Sequence, residues 1–395
     1  MFPWISCQSP VEAASGTLRR LDCDLTPAPK KTVCPCGQAQ SGWYDQQTRF
    51  IRDLDCGGQA IYLEVAIRRI NCRRCNEVKT ETLEWLLISG RFTKRFEEKV
   101  GRMARQMPLT EVAKLNQISW DQAWRMELSY MKDLVSRHPL PENLRAIGMD
   151  EISVRKGHVY RIVVADLDRQ CPIWVGGKGR TEEDMKLFYD FIGAERSRKI
   201  ELAVMDMWKP FRNIAAERAP QAKVIFDKFH ILNHLSKAVD EVRCSEYQRV
   251  NEKERKYIKG QRYTLLSHKA NLDKEGRRSL KVLLKANSRL HTAYLLKESF
   301  AQLWDYNYPA SARKFFERWK SQLRWQRLKP FEKFTAMIDK HWDGLVSYCQ
   351  PDNKVSLGFM EGLNNKIRVI QRRAYGIKND EYLSLKIITS FIEND

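Results

Sequence analysis

An α/β fold is predicted for this chain, and three observations predict it. First, residues 146–149 form a short apolar run that delivers Asp150 and Glu151. Second, residues 200–205 deliver Asp206 in the same way, so each run reads as a buried strand with a carboxylate at its carboxyl end. Third, two more apolar runs, 159–167 and 172–175, lie between them, punctuated by turn signals at Asp168-Arg169-Gln170 and Gly176-Gly177.

The resulting order is strand, hairpin strand, hairpin strand, helix, strand, which is how a ribonuclease-H-like core begins. That core is expected over residues 143–240. In an open α/β sheet, ligands bind at the carboxyl ends of the strands. Two carboxylates on neighbouring strand ends repel each other, and burying them unpaired costs several kcal/mol per ion. A divalent metal compensates. Magnesium takes carboxylate oxygen, water and substrate phosphate, and two such ions roughly 3.5–4 Å apart stabilise both oxygens of an in-line phosphoryl transfer. The plainer alternative is that Asp150 and Asp206 are strand-end turn residues.

In chain order, residues 1–90 are expected to form a cysteine-bearing, zinc-ribbon-like module. Cys34-Pro35-Cys36-Gly37 and Cys72-Arg73-Arg74-Cys75 are two close pairs with strand-like runs between them, at 49–54 and 60–70. Paired ligands on two tight turns suit tetrahedral zinc. The first pair has only one intervening residue, so Cys56, Cys23 or Cys7 could replace a member of the quartet, and free, partly buried thiols are the alternative to any metal site. Residues 91–138 turn helical. A helix carrying Phe96, Val100, Met103 and Ala104 is broken at Pro108, a short helix follows over 109–115, and Ser119 with Gln122 forms the capping-box pattern of another. Short helix, tight turn, capped helix is the helix-turn-helix outline, whose second helix enters the major groove. His138-Pro139-Leu140-Pro141 reads as a stiff hinge.

Within the core, Thr181-Glu182-Glu183-Asp184 caps a helix expected to run through Ala194, with Met185, Phe188, Phe191 and Ile192 inward. The last strand, 222–226, ends in Asp227-Lys228-Phe229-His230. Asp227 and His230 could orient a scissile phosphate, hold a water, or stabilise the junction. Residues 241–345 are expected to be a basic all-helical insertion, with Trp304, Trp319, Trp325 and Trp342 mostly in its core and one or two free to stack on an unpaired base. Residues 346–395 carry the third carboxylate. Glu361 shares a helix face with Asn365 and Arg368, an arrangement suited to holding a phosphate beside a metal. Arg372 and Arg373 follow, facing DNA backbone or an acidic protein surface.

Several of these motifs together resemble the transposases of the ISL-three insertion-sequence family. They are Gly148-Met149-Asp150-Glu151-Ile152-Ser153 with Arg155-Lys156-Gly157-His158, Met205-Asp206-Met207-Trp208, Phe226-Asp227-Lys228-Phe229-His230, and Glu361-Gly362-Leu363-Asn364-Asn365-Lys366-Ile367 with Arg372-Arg373-Ala374-Tyr375-Gly376. The resemblance covers nearly the whole chain in order. It implies a DDE transposase whose ribonuclease-H-like fold binds two magnesium or manganese ions through Asp150, Asp206 and Glu361. It further implies roles in handling DNA for Asp227, His230, Asn365, Lys366 and Arg368. The family's first cysteine pair has two intervening residues, and this chain departs from that at Cys34 and Cys36.

Composition agrees with such a reading. The 395 residues carry 69 Lys+Arg against 49 Asp+Glu, a net charge of +20, which favours a polyanionic partner because each neutralised phosphate releases counterions. No apolar run of about 18 residues and no signal peptide are seen, so a cytoplasmic, nucleoid-associated protein is expected. The expected partners are double-stranded DNA, as terminal inverted repeats and as target, and further copies of the chain in a dimer or larger assembly. No nucleotide cofactor is expected, since no phosphate-cradling glycine loop is present. Two other functions fit parts of the pattern: a DNA-binding regulator with an inactive core, and a ribonuclease-H-like nuclease acting on branched nucleic acid.

Overall fold

The computed structural model describes residues 31–87, 90–155, 159–250, 255 and 258–393, with the backbone of two short strands, β1 (Ser6–Cys7) and β2 (Asp22–Asp24). The chain divides into two compact units, Met1–His138 and Pro139–Asp395.

In the first unit, β3 (Lys31–Val33) and β4 (Ala39–Ser41) form a hairpin. The larger sheet is built on β6 (Tyr62–Cys72). Antiparallel β5 (Asp45–Arg52) lies along one side of β6, and β2 and β7 (Glu77–Thr80) along the other. Alternation along β6 sends Leu63, Val65 and Ile67 into a core with Ile51 and Ile61. Three helices follow: α1 (Lys94–Gln106), α2 (Leu109–Leu115) and α3 (Trp120–Arg137). Ser119 and Gln122 make both halves of the predicted capping box. The turn before it is closed by Gln117 at φ 54°. At the crossing of α1 and α3, a Cβ on Gly101 would lie 2.2 Å from the Tyr130 ring, so only glycine lets the two helices approach this closely.

The second unit is organised by a five-stranded mixed sheet in the order β10-β9-β8-β11-β12, comprising β8 (Ala146–Arg155), β9 (Val159–Asp166), β10 (Cys171–Gly176), β11 (Leu202–Met205) and β12 (Lys223–Phe226). β8, β9 and β10 form an antiparallel meander, and β8, β11 and β12 run parallel. This is the predicted ribonuclease-H-like arrangement. In the β9–β10 turn, Asp166 Oδ1 accepts from the N–H groups of Asp168 and Arg169, and Gln170 takes φ 53°.

Helices α4 (Glu182–Arg198) and α5 (Lys209–Arg218) connect the parallel strands. α4 opens on the predicted Thr181/Asp184 capping box but runs past Ala194, with Gly193 at φ 78° marking a kink. Its buried residues include Met185, Phe188, Tyr189 and Ile192, at i, i+3, i+4 and i+7. Phe191, expected inward, falls between those rows and is exposed. α6 (Lys228–Arg249) then carries the chain without a break from the sheet into a helical region. That region comprises α7 (Arg262–Leu266), α8 (Lys274–Ala286), α9 (Ser288–Phe300), α10 (Pro309–Ser321), α11 (Lys329–Lys340) and α12 (Trp342–Val346). Phe300 is its hub, packing on Trp304, Phe316, Trp319 and Phe334. Trp304 and Trp319 are therefore core, while Trp325 is 88% exposed at φ 73°.

The chain returns to the sheet through α13 (Gly358–Arg373) and α14 (Asp380–Thr389). α13 lies directly on β8, where a Cβ at Gly148 would meet Met360 Sδ at 2.7 Å and Leu167 Cδ2 at 2.9 Å. Gly148→Ala should therefore push α13 off the strand and cost about 1–3 kcal/mol. A thermal melt checks this, and an unchanged melting temperature would mean that Met360 simply swings aside. Among the described residues, no helix is long and apolar enough to cross a membrane.

Candidate functional site

Strand register sets the carboxylates in a row. Leu202, Ala203 and Val204 of β11 sit opposite Ala146, Ile147 and Gly148 of β8, and opposite Lys223, Val224 and Ile225 of β12. Carrying the same register forward puts Asp206 beside Asp150 on one side and Asp227 on the other. Neighbouring strands are about 4.8 Å apart. The sequence led us to expect β8 to end at Asp150. The strand instead continues to Arg155, paired with β9 alone beyond Gly148, so Asp150 stands where the parallel half of the sheet stops.

Each aspartate is held differently. Asp150 is only 9% exposed. Its Oδ1 accepts from the Glu151 N–H at 2.8 Å, and its Oδ2 from Asn364 Nδ2 at 2.5 Å. Burial pushes its carboxyl up to about 6, against the lowering pull of the His230 charge and of those two hydrogen bonds. Asp206 Oδ1 accepts from the Met207 N–H at 2.6 Å. Asp227 caps α6, its Oδ1 accepting from the Phe229 N–H at 3.0 Å while its Oδ2 meets His230 Nδ1 at 2.8 Å. The other ring nitrogen of His230, Nε2, faces Asp206 Oδ2 at 3.9 Å. The hydrogen bond to Asp227, reinforced by the charges of Asp206 and Asp150, raises His230 to about 9. At neutral pH it is an imidazolium spanning two of the three aspartates.

Glu361 is exposed in the first turn of α13. The residue before it, Met360, packs on Gly148, and three residues on, Asn364 reaches Asp150. These two contacts anchor the first turns of the helix that carries Glu361 on β8. Among the described residues, however, Cys34, Cys36, Cys72 and Cys75 are the one group of three or more His, Cys, Asp or Glu side chains with ligand atoms within 4.8 Å of one another. Asp150, Asp206 and Glu361 do not form such a group. The donor set suits a hard divalent cation. It is all carboxylate oxygen, and the buried Oδ1 of Asn364 has no hydrogen-bond partner.

Two side chains beside these carboxylates escaped the sequence reading. Asn364, not Asn365, is the asparagine that touches Asp150. Its signal was a polar residue inside the buried face formed by Met360, Leu363 and Ile367. Arg180 follows a glycine-rich turn and precedes the Thr181 cap. Its guanidinium pairs with Glu151 and stacks on Tyr160 and Trp208, 4.8 Å and 5.2 Å from the ring centroids. Trp208 Nε1 in turn donates to the Arg180 carbonyl at 2.9 Å. The Arg180 pKa is raised, first by Glu151 and partly by the charge of Asp206. Of the positions expected to handle DNA on α13, Asn365 Oδ1 accepts from Arg368 at 2.9 Å on the exposed face. Lys366 turns toward the end of α14, donating to the Ser390 carbonyl and lying over Phe391. Arg372 and Arg373 are exposed in the last turn.

In the first unit the predicted quartet converges. Cys34 Sγ lies 4.0 Å from Cys75 Sγ, and Cys36 Sγ 3.6 Å from Cys72 Sγ. Tetrahedral zinc with bonds of about 2.3 Å has sulfur–sulfur edges of about 3.8 Å, so the residues fit that metal. The single-residue gap of the first pair is accommodated by a tight turn in which Gly37, at φ 86°, donates its N–H to the Cys34 carbonyl at 2.8 Å. The N–H of Cys75, aimed at Cys72 Sγ, is the leading cause that lowers the Cys72 thiol to about 6, while the neighbouring sulfurs push Cys75 up to about 12, so the first thiolate of the four forms at Cys72.

Comparison with known proteins agrees with this layout. A family model described as "Transposase", of the DDE type in ISL3, matches residues 147–387, and one described as "Helix-turn-helix domain of transposase family ISL3" matches residues 81–130. The transposase for insertion sequence element IS1001 of Bordetella parapertussis is 29% identical over 380 residues, covering 95% of this chain and 93% of the relative. The transposase for insertion sequence element IS1557 of Mycobacterium tuberculosis H37Rv is 27% identical over 373 residues, covering 88% and 83%.

Proposed function

Because the chain belongs to the ISL3 family of DDE transposases, we propose that it binds the terminal inverted repeats of its insertion sequence, cuts the element ends to leave 3′-hydroxyls, and joins these to target DNA. The reading is carried by the row of Asp150, Asp206 and Asp227 across three strand ends, with the helix of Glu361 packed against the first strand.

Asp150, Asp206 and Glu361 would hold two magnesium or manganese ions, whose charge would stabilise the attacking and leaving oxygens of an in-line displacement. The chain's own groups prepare the site. Asn364 fixes the orientation of the Asp150 carboxylate. Burial makes that carboxylate the one that gains most from a cation. His230, anchored by Asp227, directs its second N–H toward Asp206. Arg180, stacked between two rings, presents a preset guanidinium for a phosphate oxygen. The zinc module and the helix-turn-helix would bind the repeats, phosphate contacts setting register and base contacts setting sequence. Both ends must be processed together, so a dimer or larger assembly on DNA is part of the proposal.

The test uses labelled duplex carrying the terminal sequences that flank the coding region, with Mg²⁺ and a target plasmid. Cleavage at the element boundary and covalent joining are expected. Binding with neither product would sink the proposal.

His230 adds a pH signature. Its folded pKa of about 9 exceeds the ordinary 6.5, so the stability it contributes is fully present below 6.5 and lost as pH rises through about 9. In EDTA, the stability gap between wild type and His230→Gln should close across that window. Urea melts at pH 6.5 and pH 9.5 measure it, and a gap that persists at the higher pH would contradict the assignment.

A further inference from the structure

A basic cleft of about 1040 Å³ opens among the helices beyond the sheet. Its floor is one face of α6, where Asn233, Lys237, Asp240, Cys244 and Gln248 recur at helical spacing. α6 begins at Asp227 and His230. The floor therefore starts within a turn of His230, and the helix rises about 27 Å from there to Gln248 at roughly 1.5 Å per residue. Arg327 and the first turn of α11, with Lys329 and Lys333, also line the cleft, as do Arg262 and Arg289.

The charges in the cleft are of two kinds. Arg262 is tied to Asp240, and Arg249 and Arg289 to Glu246, while Glu241 is an exposed carboxylate on the same lining. Lys237, Arg327, Lys329 and Lys333 are exposed and have no ion-pair partner among the described residues. Arg327 takes the left-handed φ of 53°, and its carbonyl accepts from Arg289 Nη2 at 3.1 Å. That conformation costs roughly 1–2 kcal/mol in an L-residue, so the arginine is held in place by the surrounding structure. Unpartnered cations around one cleft repel each other, and a polyanion relieves this while releasing its own counterions. Among the described residues that line the cleft there is no Phe, Tyr or Trp to act as the stacking platform that single strands use.

We propose that this cleft seats the phosphate backbone of double-stranded DNA, holding the duplex beside the phosphodiester to be cut. It rests on the proposed function only in identifying which phosphodiester that is.

The test compares two charge-matched variants of the full chain, each shown by thermal melting to be folded. One is Lys237→Ala/Lys329→Ala/Lys333→Ala in the cleft. The other is Lys274→Ala/Lys281→Ala/Lys285→Ala on exposed α8. Binding of a labelled 30-base-pair duplex is titrated against salt in EDTA. Each lost phosphate contact lowers the slope of log K against log salt by about 0.9. The cleft variant should lose about 2–3 from its slope, and the α8 variant less than about 1. If the cleft variant does not fold, Lys237→Ala and Lys333→Ala are measured singly, each expected to lose about 0.9. Equal losses in both triples, no loss in the cleft triple, or a loss seen only with a single-stranded oligonucleotide would each overturn the proposal. The readout needs no chemistry. Wild type that fails to cut DNA while the cleft slope still falls would refute the transposition reading and leave this one standing.

Discussion

Asp150→Asn should abolish strand cleavage and joining, by on the order of 10³-fold or more, while binding terminal-repeat DNA as wild type does. In EDTA at pH 8 it should also be the more stable protein. The folded carboxyl at about 6 lies above its ordinary 3.8, so the folded state holds this proton longer than the unfolded chain. Stability is then unaffected below pH 3.8, declines as pH rises toward 6, and carries the full cost above it. That cost is roughly 3 kcal/mol. The amide is neutral, its oxygen can keep the Glu151 N–H, and its NH2 group can donate to the unpartnered Oδ1 of Asn364 once that amide turns over, so the cost disappears with the charge. Melts of both proteins at pH 8 and pH 4 test this, with the gap closing at the lower pH. A variant less stable at pH 8 would show that the charge is not what strains the site. A more stable variant would mean that activity is gained at the expense of stability, as active sites commonly arrange.

Cys72→Ser should have the other large effect. Structural zinc contributes on the order of 10–16 kcal/mol in small metal-nucleated modules. In this chain the Cys34, Ile70 and Cys72 cluster is too small a core to replace it. Bound zinc should fall from about one per chain to near zero, protease should cut within residues 31–80, and binding to the terminal repeats should be lost. Cys56→Ser is the control. Cys56 is exposed and outside the quartet, so its loss should leave zinc content and binding unchanged. Retained zinc in Cys72→Ser, with loss in Cys56→Ser, would reassign the ligands.

Many strands and helices of both units were legible because apolar runs and caps are local signals. The runs before Asp150 and Asp206 and the pairs Thr181/Asp184 and Ser119/Gln122 state their roles within a few residues. Spacing suggested the cysteine quartet but left Cys56, Cys23 or Cys7 open as replacements, because the one-residue gap of the first pair is accommodated by a turn visible only in the fold. What the sequence hid depends on partners distant in the chain. Asp150 meets Asn364 across 214 residues, and nothing in the local pattern says which of two adjacent asparagines faces the strand. Arg180 acquires meaning only when Glu151, Tyr160 and Trp208 surround it. Phe191 was misassigned because one apolar residue too many fitted the helical stripe, and packing chose Tyr189 instead.

The uninterrupted course of α6 has a mechanical consequence. A helix 22 residues long behaves as a stiff lever of about 33 Å, with the imidazolium between Asp206 and Asp227 at its fulcrum. A tilt of about 5° at the far tip displaces it by roughly 3 Å over that length, yet barely moves the near end. Because buried residues recur along its length from Ile231 to Glu246, any such tilt must be shared with the helices packed on it.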